Sequence, residues 1–231
     1  AINAGDLALT RVFEVVLNDD ALPVDRRVRV LDELVRMERH TLEGQALDLG
    51  WARDGRWDVT SDDYLYMIEG KTAWYTVASP LRIGALAAGA ADEAARELVE
   101  LGRPAGLAFQ LQDDLLNLVG DASAQGKDFR SDITEGKRTL AVVWALEHLD
   151  DEPHRELVDL LESKTTNPDE LARAVKLIEQ GGGIEACRDL ALKLTRDAQG
   201  KARALATSGT ITPESAELLC SMADFFINRS A

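Results

Sequence analysis

The sequence is poor in the residues that build disulfide frameworks and histidine sites. Its 231 residues include two cysteines, Cys187 and Cys220, and three histidines, His40, His148 and His154. Two cysteines do not make a disulfide framework, so we interpret both thiols as small buried apolar groups in a cytoplasmic protein. The histidines are scattered without the spacing of metal ligands. Any chemistry of this chain therefore has to rest on other side chains.

Basic residues and long apolar runs are also scarce. Lys and Arg number 26 against 41 Asp and Glu, which gives a formal net charge of −15. This charge excludes nucleic acid as the partner, because binding to a phosphate backbone needs a basic surface. No run is long and apolar enough to cross a membrane, so we expect a protein that is not an integral membrane protein. Phosphate esters stay candidate ligands, because divalent cations can stand between carboxylates and an anion.

Sustained alternation of apolar and polar residues, the pattern of half-buried strands, does not occur in the sequence. Apolar residues instead recur every three or four positions, as in residues 7–17 and 28–49. Capping residues predict helix starts at Thr60, Asn167 and Thr212. We predict an all-α protein of roughly eight to ten helices. No linker composition divides the sequence, so residues 1–231 are expected to form a single domain.

One predicted helix carries a polar stripe. Gln110, Asp113, Asp114 and Asn117 occupy positions i, i+3, i+4 and i+7, which lie on one helix face. Adjacent carboxylates repel each other unless a cation neutralises them. Mg²⁺ bridges one or two carboxylates to substrate phosphates, so a metal site is one interpretation. A solvated acidic stripe on an amphipathic helix is the alternative.

Two other segments carry polar residues at helical spacing. Gln45 and Asp48 lie one turn apart, and Asp48 is a third candidate metal ligand. Lys71, Thr72 and Tyr75 are predicted to share one helix face, where an ammonium and two hydroxyl groups suit phosphate oxygens. Each also has a structural interpretation, with Lys71 at the surface and Tyr75 in the core.

A long polar connection follows the acidic helix. Residues 120–139 contain Lys127 and Lys137 on either side of Asp132. Long connections in compact domains are more often functional than idle. The two lysines are candidates for binding an anionic group, whereas Asp132 is equally suited to capping a helix.

Four segments, in this order, resemble the signature segments of the all-trans isoprenyl diphosphate synthases, the farnesyl and geranylgeranyl diphosphate synthase group. They are GQALDL (44–49), KTAWYT (71–76), GLAFQLQDDLLN (106–117) and GKDFRSDITEGKRTL (126–140). The first nine residues and residues 223–229 also fit that family. The resemblance implies an all-α isoprenoid synthase bundle around a central cavity. It further implies a homodimeric prenyltransferase that condenses isopentenyl diphosphate with an allylic diphosphate.

The resemblance also implies roles for the candidate residues. Asp113 and Asp114 match the second aspartate-rich motif, which holds the Mg²⁺ that binds the allylic diphosphate. Thr72 matches a threonine beside the reacting carbons. The other matches are phosphate-side lysines and polar residues of the same cavity: Lys71, Lys127, Lys137, Gln45, Asp48 and Gln110. Tyr75 and Asn117 are further candidates for binding the substrate.

Two departures from the family pattern matter. Asn117 stands where many members carry a third aspartate, and its amide oxygen brings no charge to a metal. No first DDxxD motif occurs in the sequence, and the family places it before the segment that resembles residues 1–9. We therefore expect that N-terminal helices with this motif are missing, and that the 231-residue chain by itself is inactive. A noncatalytic or regulatory subunit of a complete synthase and a class I terpene cyclase are the alternatives.

Overall fold

The structure is a computed structural model that describes residues 2–120 and 129–229. These residues form eleven α-helices and one π-helical segment, and contain no strand. The helices are α1 (Ile2–Leu17), α2 (Val24–Arg53), α3 (Ser61–Ile68), α4 (Ser79–Ala88), α5 (Asp92–Val119), α6 (Ser131–Glu135), α7 (Leu140–His148), α8 (Asp151–Glu162), α9 (Pro168–Gln180), α10 (Gly183–Ser208) and α11 (Pro213–Asn228). The predicted all-α fold is confirmed.

The predicted helix starts are also found. Thr60 accepts a hydrogen bond from the backbone N–H of Asp63, whose carboxylate in turn accepts from the N–H of Thr60. Asn167 and Thr212 are the N-caps of α9 and α11, and each is followed by a proline. These caps satisfy N–H groups that have no partner within the helix. Local sequence therefore determines these three boundaries.

The π-helical segment, Glu69–Ala78, runs without a break from α3 into α4. The three pieces form one continuous rod, which explains why the predicted helix count is lower than the observed number of elements. π-helical turns have i→i−5 hydrogen bonds, are rare, and often occur at functional sites. Lys71 and Thr72 both lie in this segment.

Helix α5 lies at the centre of the bundle and packs against the π segment, α4, α10 and α11. Its contact with the π segment is close because Gly102 and Gly106 face Ala78 and Ala73. A β-carbon added at Gly106 would lie 2.6 Å from the Cα of Ala73. The two glycines thus set the distance between the helix that carries the acidic stripe and the segment that carries Lys71.

The largest apolar core lies beside this contact. It combines buried residues of α3, α5, α7, α8, α9 and α10, among them Leu111, Leu115, Leu157 and Leu177. Leu111 and Leu115 lie on the side of α5 that flanks its polar stripe and packs into this core, so core packing fixes the rotation of α5. The polar stripe is thereby turned toward α2, α3 and the π segment.

The polar connection after α5 differs in part from the prediction. Residues 121–128 lie outside the described part of the chain. Ser131–Glu135 form the short helix α6, so the connection is not wholly irregular. Arg130 at its start and Gly136 at its end both have positive φ angles, 60° and 64°. The short helix α6 therefore lies next to the C-terminal part of α5, where the N–H of Arg130 donates to the backbone oxygen of Asn117.

Candidate functional site

A cavity of about 330 Å³ lies between α2, α3, the π segment, α5 and α6. Four carboxylates and three cationic side chains are in its wall, together with polar and apolar groups. The lining residues are Asp48, Tyr64, Met67, Ile68, Lys71, Gln110, Asp113, Asp114, Leu116, Asn117, Ser131, Asp132, Lys137, Arg138 and Thr139. All four members of the predicted polar stripe are among them.

Asp114 lies in a buried chain of hydrogen bonds. Thr72 donates to the amide oxygen of Gln110 (2.9 Å), and the amide nitrogen of Gln110 donates to Asp114 Oδ1 (2.8 Å). The phenolic hydroxyl of Tyr64 donates to Asp114 Oδ2. Asp114 is 7% exposed and Tyr64 is 2% exposed. The π segment, α5 and α3 are thus joined at one carboxylate.

Burial changes the acidity of this carboxylate. Desolvation, followed by the charge of Asp132, raises the pKa of Asp114 to about 7, although the hydrogen bonds from Tyr64 and Gln110 act in the opposite direction. Desolvation and the neighbouring carboxylate also raise the pKa of Tyr64 well above its ordinary value. Without a nearby cation, Asp114 is therefore readily protonated near neutral pH.

Asp113 is bound by an arginine from the end of the chain. Arg229 Nη2 forms an ion pair with Asp113 Oδ1 and donates a hydrogen bond to the backbone oxygen of Phe109 (3.2 Å). The guanidinium also stacks on the Phe109 ring, 4.2 Å from its centre. Desolvation raises the pKa of Asp113, and the charge of Arg229 partly offsets this. Asp113 is more accessible than Asp114, with 41% of its side chain exposed.

Asn117 connects α5 to the short helix α6. Its amide oxygen accepts from the backbone N–H of Asp132 (3.1 Å), and its amide nitrogen donates to Ser131 Oγ (3.0 Å). Its backbone oxygen accepts from the N–H of Arg130 (2.8 Å). Asn117 thereby brings Asp132 to the cavity, close enough to raise the pKa of Asp114. In this geometry the amide organises the acidic wall.

The two described candidate lysines are each paired with a carboxylate. Lys71 Nζ lies 2.6 Å from Asp48 Oδ2. Lys137 Nζ lies 2.7 Å from Asp132 Oδ1 and 3.2 Å from Glu135 Oε2. Burial favours the neutral form of Lys137, but the bonds to Asp132 and Glu135 outweigh it and raise the pKa of this lysine. Both side chains are therefore held at the cavity wall by ion pairs.

Other candidates lie outside the cavity wall or outside the described residues. Gln45 is half-buried on α2, one turn before Asp48, and is not among the residues that line the cavity. Tyr75 is 49% exposed and also lies outside the cavity. That Tyr75 shares a helix face with Lys71 and Thr72 stays a prediction, but its side chain is not part of the cavity wall. Lys127 lies outside the described residues.

Three residues at this site are absent from the sequence-based candidates: Tyr64, Arg138 and Arg229. Tyr64 and Arg229 contact the aspartate pair from 50 and 116 positions away. No local spacing connects such distant residues. Arg138 follows Lys137 directly, and its position in the segment EGKRTL is the signal that could have indicated it.

The acidic side chains fit a magnesium site that is completed by a ligand. Among residues 2–120 and 129–229, no three carboxylate, histidine or cysteine side chains converge as an all-protein metal cage. Mg²⁺ commonly binds through one or two carboxylates plus waters and substrate phosphates. Asp113 and Asp114 at a cavity wall match that donor set. Asp48 has the ammonium of Lys71 as its partner, so its predicted role as a metal ligand stays a prediction.

No helix within the described residues is both long and apolar enough to span a bilayer.

The sequence profile of the polyprenyl synthetase family matches residues 1–178. A short chain isoprenyl diphosphate synthase from Methanothermobacter thermautotrophicus is 36% identical in an alignment of 231 positions that covers 99% of this chain and 67% of that protein. A (2E,6E)-farnesyl diphosphate synthase from Mycobacterium tuberculosis is 41% identical over 186 residues, which are 79% of this chain and 50% of that protein.

Solved structures show the same fold. The geranylgeranyl pyrophosphate synthase from Corynebacterium glutamicum, complexed with isoprenyl diphosphate and magnesium, superimposes with a TM-score of 0.86 at 28% identity, covering 99% of this chain and 62% of that chain. For the geranylgeranyl pyrophosphate synthetase from Pyrococcus horikoshii the TM-score is 0.85 at 29% identity, covering 98% and 66%. The chain spans one half to two thirds of the length of the curated relatives described above. It belongs to the polyprenyl synthetase family.

Proposed function

We propose that this protein is a Mg²⁺-dependent short-chain prenyltransferase that condenses isopentenyl diphosphate with an allylic diphosphate. The observation that carries this proposal is the cavity whose wall contains Asp113 and Asp114 together with the cationic side chains of Lys71, Lys137 and Arg138. The named activities of relatives, which are farnesyl, geranylfarnesyl and geranylgeranyl diphosphate synthases, support the same reaction class.

The proposed reaction begins when the carbon–oxygen bond of the allylic diphosphate breaks. The diphosphate takes the electron pair, and a delocalised allylic cation remains. Lys71 and Lys137 are fixed at the cavity wall before the reaction, so they stabilise the departing charge without reorganisation. A bound Mg²⁺ supplies further stabilisation of that charge as a Lewis acid. Asp113 and Asp114 would hold it.

The allylic cation is then attacked by the double bond of isopentenyl diphosphate, which forms the new carbon–carbon bond. Loss of one proton from the adduct completes the elongated allylic product, and the released diphosphate is the proposed acceptor of that proton. Thr72 is fixed beside the cavity by its bond to Gln110, in keeping with its predicted place near the reacting carbons. Met67, Ile68 and Leu116 give the wall apolar surface that excludes water from the cation.

The test is to express the full-length gene product and to incubate it with isopentenyl diphosphate and with dimethylallyl, geranyl or farnesyl diphosphate. Product sizes then give the reaction class and the chain length together. We expect Mg²⁺-dependent elongation of at least one primer. Failure to elongate any primer would overturn the proposal, and it would favour a noncatalytic partner subunit. Cyclised hydrocarbon products would instead favour a terpene cyclase.

Four expectations from the sequence, beyond the reaction class, stay predictions. These are the homodimer, the cytoplasmic location, the single domain over residues 1–231 and the role of Lys127. Light scattering of the purified protein at several concentrations measures its oligomeric state. Substitution of Lys127 by methionine, followed by steady-state kinetics with each diphosphate substrate, measures the contribution of that lysine to binding and to turnover.

A further inference from the structure

Arg138 is a buried cation in the wall of the same cavity. The residue is 5% exposed and follows Lys137 directly in the chain, just before the N-cap of α7. Its guanidinium lies over the ring of Trp57, 3.8 Å from the ring centre. Arg138 therefore brings a permanent positive charge to the cavity from a rigid support.

Neutral acceptors hold this guanidinium in place. Nε donates to the backbone oxygen of Arg56 (2.7 Å), and Nη1 donates to the backbone oxygen of Gly136 (2.6 Å). These bonds use two of the five N–H donors of an arginine. Carbonyl oxygens orient the group but do not neutralise its charge. Within the described part of the chain, Nη2 donates no hydrogen bond.

The other cations near the acidic wall have carboxylate partners. Lys71 pairs with Asp48, Lys137 with Asp132, and Arg229 with Asp113. For Arg138, no carboxylate of residues 2–120 or 129–229 lies within ion-pair distance, and the charges of Asp48 and Glu162 act on it only from farther away. Of the cations that line the described cavity, Arg138 is thus the one whose charge is left without a carboxylate partner.

A buried charge is costly unless a counter-charge compensates for it. A fixed guanidinium with free N–H donors matches the oxygen atoms of a phosphate group, which it can bind through two hydrogen bonds. A phosphate group would also avoid competition from an existing ion pair, whereas a ligand at Lys71 or Lys137 has to share the ammonium with a carboxylate. The arrangement at Arg138 is therefore that of an anion-binding residue.

We propose that Arg138 binds a phosphate group of the diphosphate ligand directly and is a substrate-binding residue of this protein. The identity of the ligand rests on the proposed function, whereas the anion-binding role rests on the geometry of Arg138 alone. The contacts with Arg56, Gly136 and Trp57 place the guanidinium before the ligand arrives. This preorganisation reduces the entropy that is lost on binding.

The test compares Arg138→Met and Arg138→Lys with the unchanged protein. Inorganic diphosphate is the probe, and its binding is measured by calorimetry at 5 mM and at zero Mg²⁺. We expect Arg138→Met to weaken diphosphate binding roughly tenfold or more at both Mg²⁺ levels, the scale of a lost charge-assisted hydrogen bond. Arg138→Lys restores the charge but not the planar pair of donors, so it should recover only part of the affinity. It should also recover the steep dependence of binding on salt.

Arg56→Met is the matched control, because Arg56 lies in the neighbouring α2–α3 loop and its side chain pairs with Asp58 at the surface. We expect this variant to bind diphosphate like the unchanged protein. Thermal denaturation of each variant separates a loss of binding from a loss of folding. If Arg138→Met lowers the melting temperature but leaves diphosphate affinity unchanged, Arg138 is a structural residue and the proposal is overturned.

Kinetics separate this inference from the proposed function. Prenyl transfer with unchanged diphosphate affinity in Arg138→Met overturns the inference and leaves the function standing. Diphosphate binding that depends on Arg138, in a full-length protein that elongates no primer, supports the inference and overturns the function. Absence of diphosphate binding by the unchanged protein at both Mg²⁺ levels overturns the inference as well.

Discussion

Tyr64 of α3 donates its phenolic hydrogen bond to the Asp114 carboxylate of α5, and both side chains are almost completely buried. This contact joins residues that are 50 positions apart in the sequence. It gives the buried carboxylate one of its two side-chain donors, Gln110 being the other. The stability of the acidic wall should therefore depend on a residue with no charge of its own.

Tyr64→Phe is expected to lower the free energy of unfolding by about 1–3 kcal/mol, because it removes one donor from a buried carboxylate. The loss should be larger at pH 8 than at pH 5, since a hydrogen bond to the ionised carboxylate is the stronger one. Urea denaturation at both pH values measures the difference. Tyr66→Phe is the control, because Tyr66 is 72% exposed. Equal effects of the two substitutions would contradict the prediction.

The raised pKa of Asp114 predicts a pH-dependent stability in the absence of divalent cations. In the folded protein its pKa is about 7, whereas an unfolded chain releases this proton near pH 4. The folded state therefore binds more protons between these values, and the free energy of unfolding falls as the pH rises from about 4 to about 7. The loss should be on the order of a few kcal/mol, with a nearly constant contribution from this group above pH 7.

Asp114→Asn removes the titrating group and should flatten this part of the pH profile. We expect the variant to be more stable than the unchanged protein at pH 8 in EDTA, because no buried charge forms. Thermal denaturation between pH 4 and 9 provides the measurement. Asp224→Asn changes an exposed aspartate and should leave the profile as it was. A profile with the same slope in Asp114→Asn would show that other groups cause it.

The ion pair between Arg229 and Asp113 predicts competition with a divalent cation. Arg229→Met keeps apolar contact with Phe109 but frees the Asp113 carboxylate. We expect the affinity for Mn²⁺, used as a spectroscopic substitute for Mg²⁺, to rise roughly fivefold, which corresponds to about 1 kcal/mol for one ion pair. Electron paramagnetic resonance of free Mn²⁺ measures this without an activity assay.

Arg203→Met on α10 controls for the change in net charge, because Arg203 is exposed and does not line the cavity of the aspartate pair. It should leave Mn²⁺ binding nearly unchanged. A decrease in affinity in Arg229→Met would mean that the arginine orients the carboxylate for the metal. In that case the competition that we expect does not occur.

The close contact between α5 and the π segment predicts opposite effects of alanine at two helical glycines. Gly106→Ala should lower the free energy of unfolding by about 1–3 kcal/mol, because its β-carbon would lie 2.6 Å from the Cα of Ala73. Gly200→Ala meets no atom within 4 Å and should raise it by up to about 1 kcal/mol through helix propensity. Chemical denaturation of both variants measures whether each substitution lowers or raises the free energy of unfolding. A gain in stability for Gly106→Ala would mean that α5 and the π segment can move apart at little energetic cost.

The local part of the site could be predicted from the sequence. Helical spacing is a property of the chain itself, so the shared face of Gln110, Asp113 and Asp114 follows from their positions alone. Helix caps such as Thr60 and Asn167 likewise act within a few residues. The polar stripe and these helix starts therefore required no knowledge of the tertiary structure.

The long-range part could not be predicted in this way. Tyr64 and Arg229 reach the aspartate pair only after α3 and the C-terminal end of α11 have packed against α5. The π-helical conformation of residues 69–78 was also unforeseen, because apolar spacing in this segment is equally compatible with an α-helix. Local spacing therefore predicts neither the contacts of Tyr64 and Arg229 nor the conformation of residues 69–78.

The π segment makes residues 69–78 unusually sensitive to changes in chain length. Deleting one residue from a surface loop alters little, but each residue of a regular α-helix turns the chain by about 100°. A deletion between Glu69 and Ala78 that restored α-helical geometry would rotate one side of this rod against the other. Lys71 would then lose its register with Asp48, or Ala78 its register with Gly102. A relative whose aligned sequence lacks one residue in this segment is therefore expected to have a different arrangement of side chains in its cavity wall.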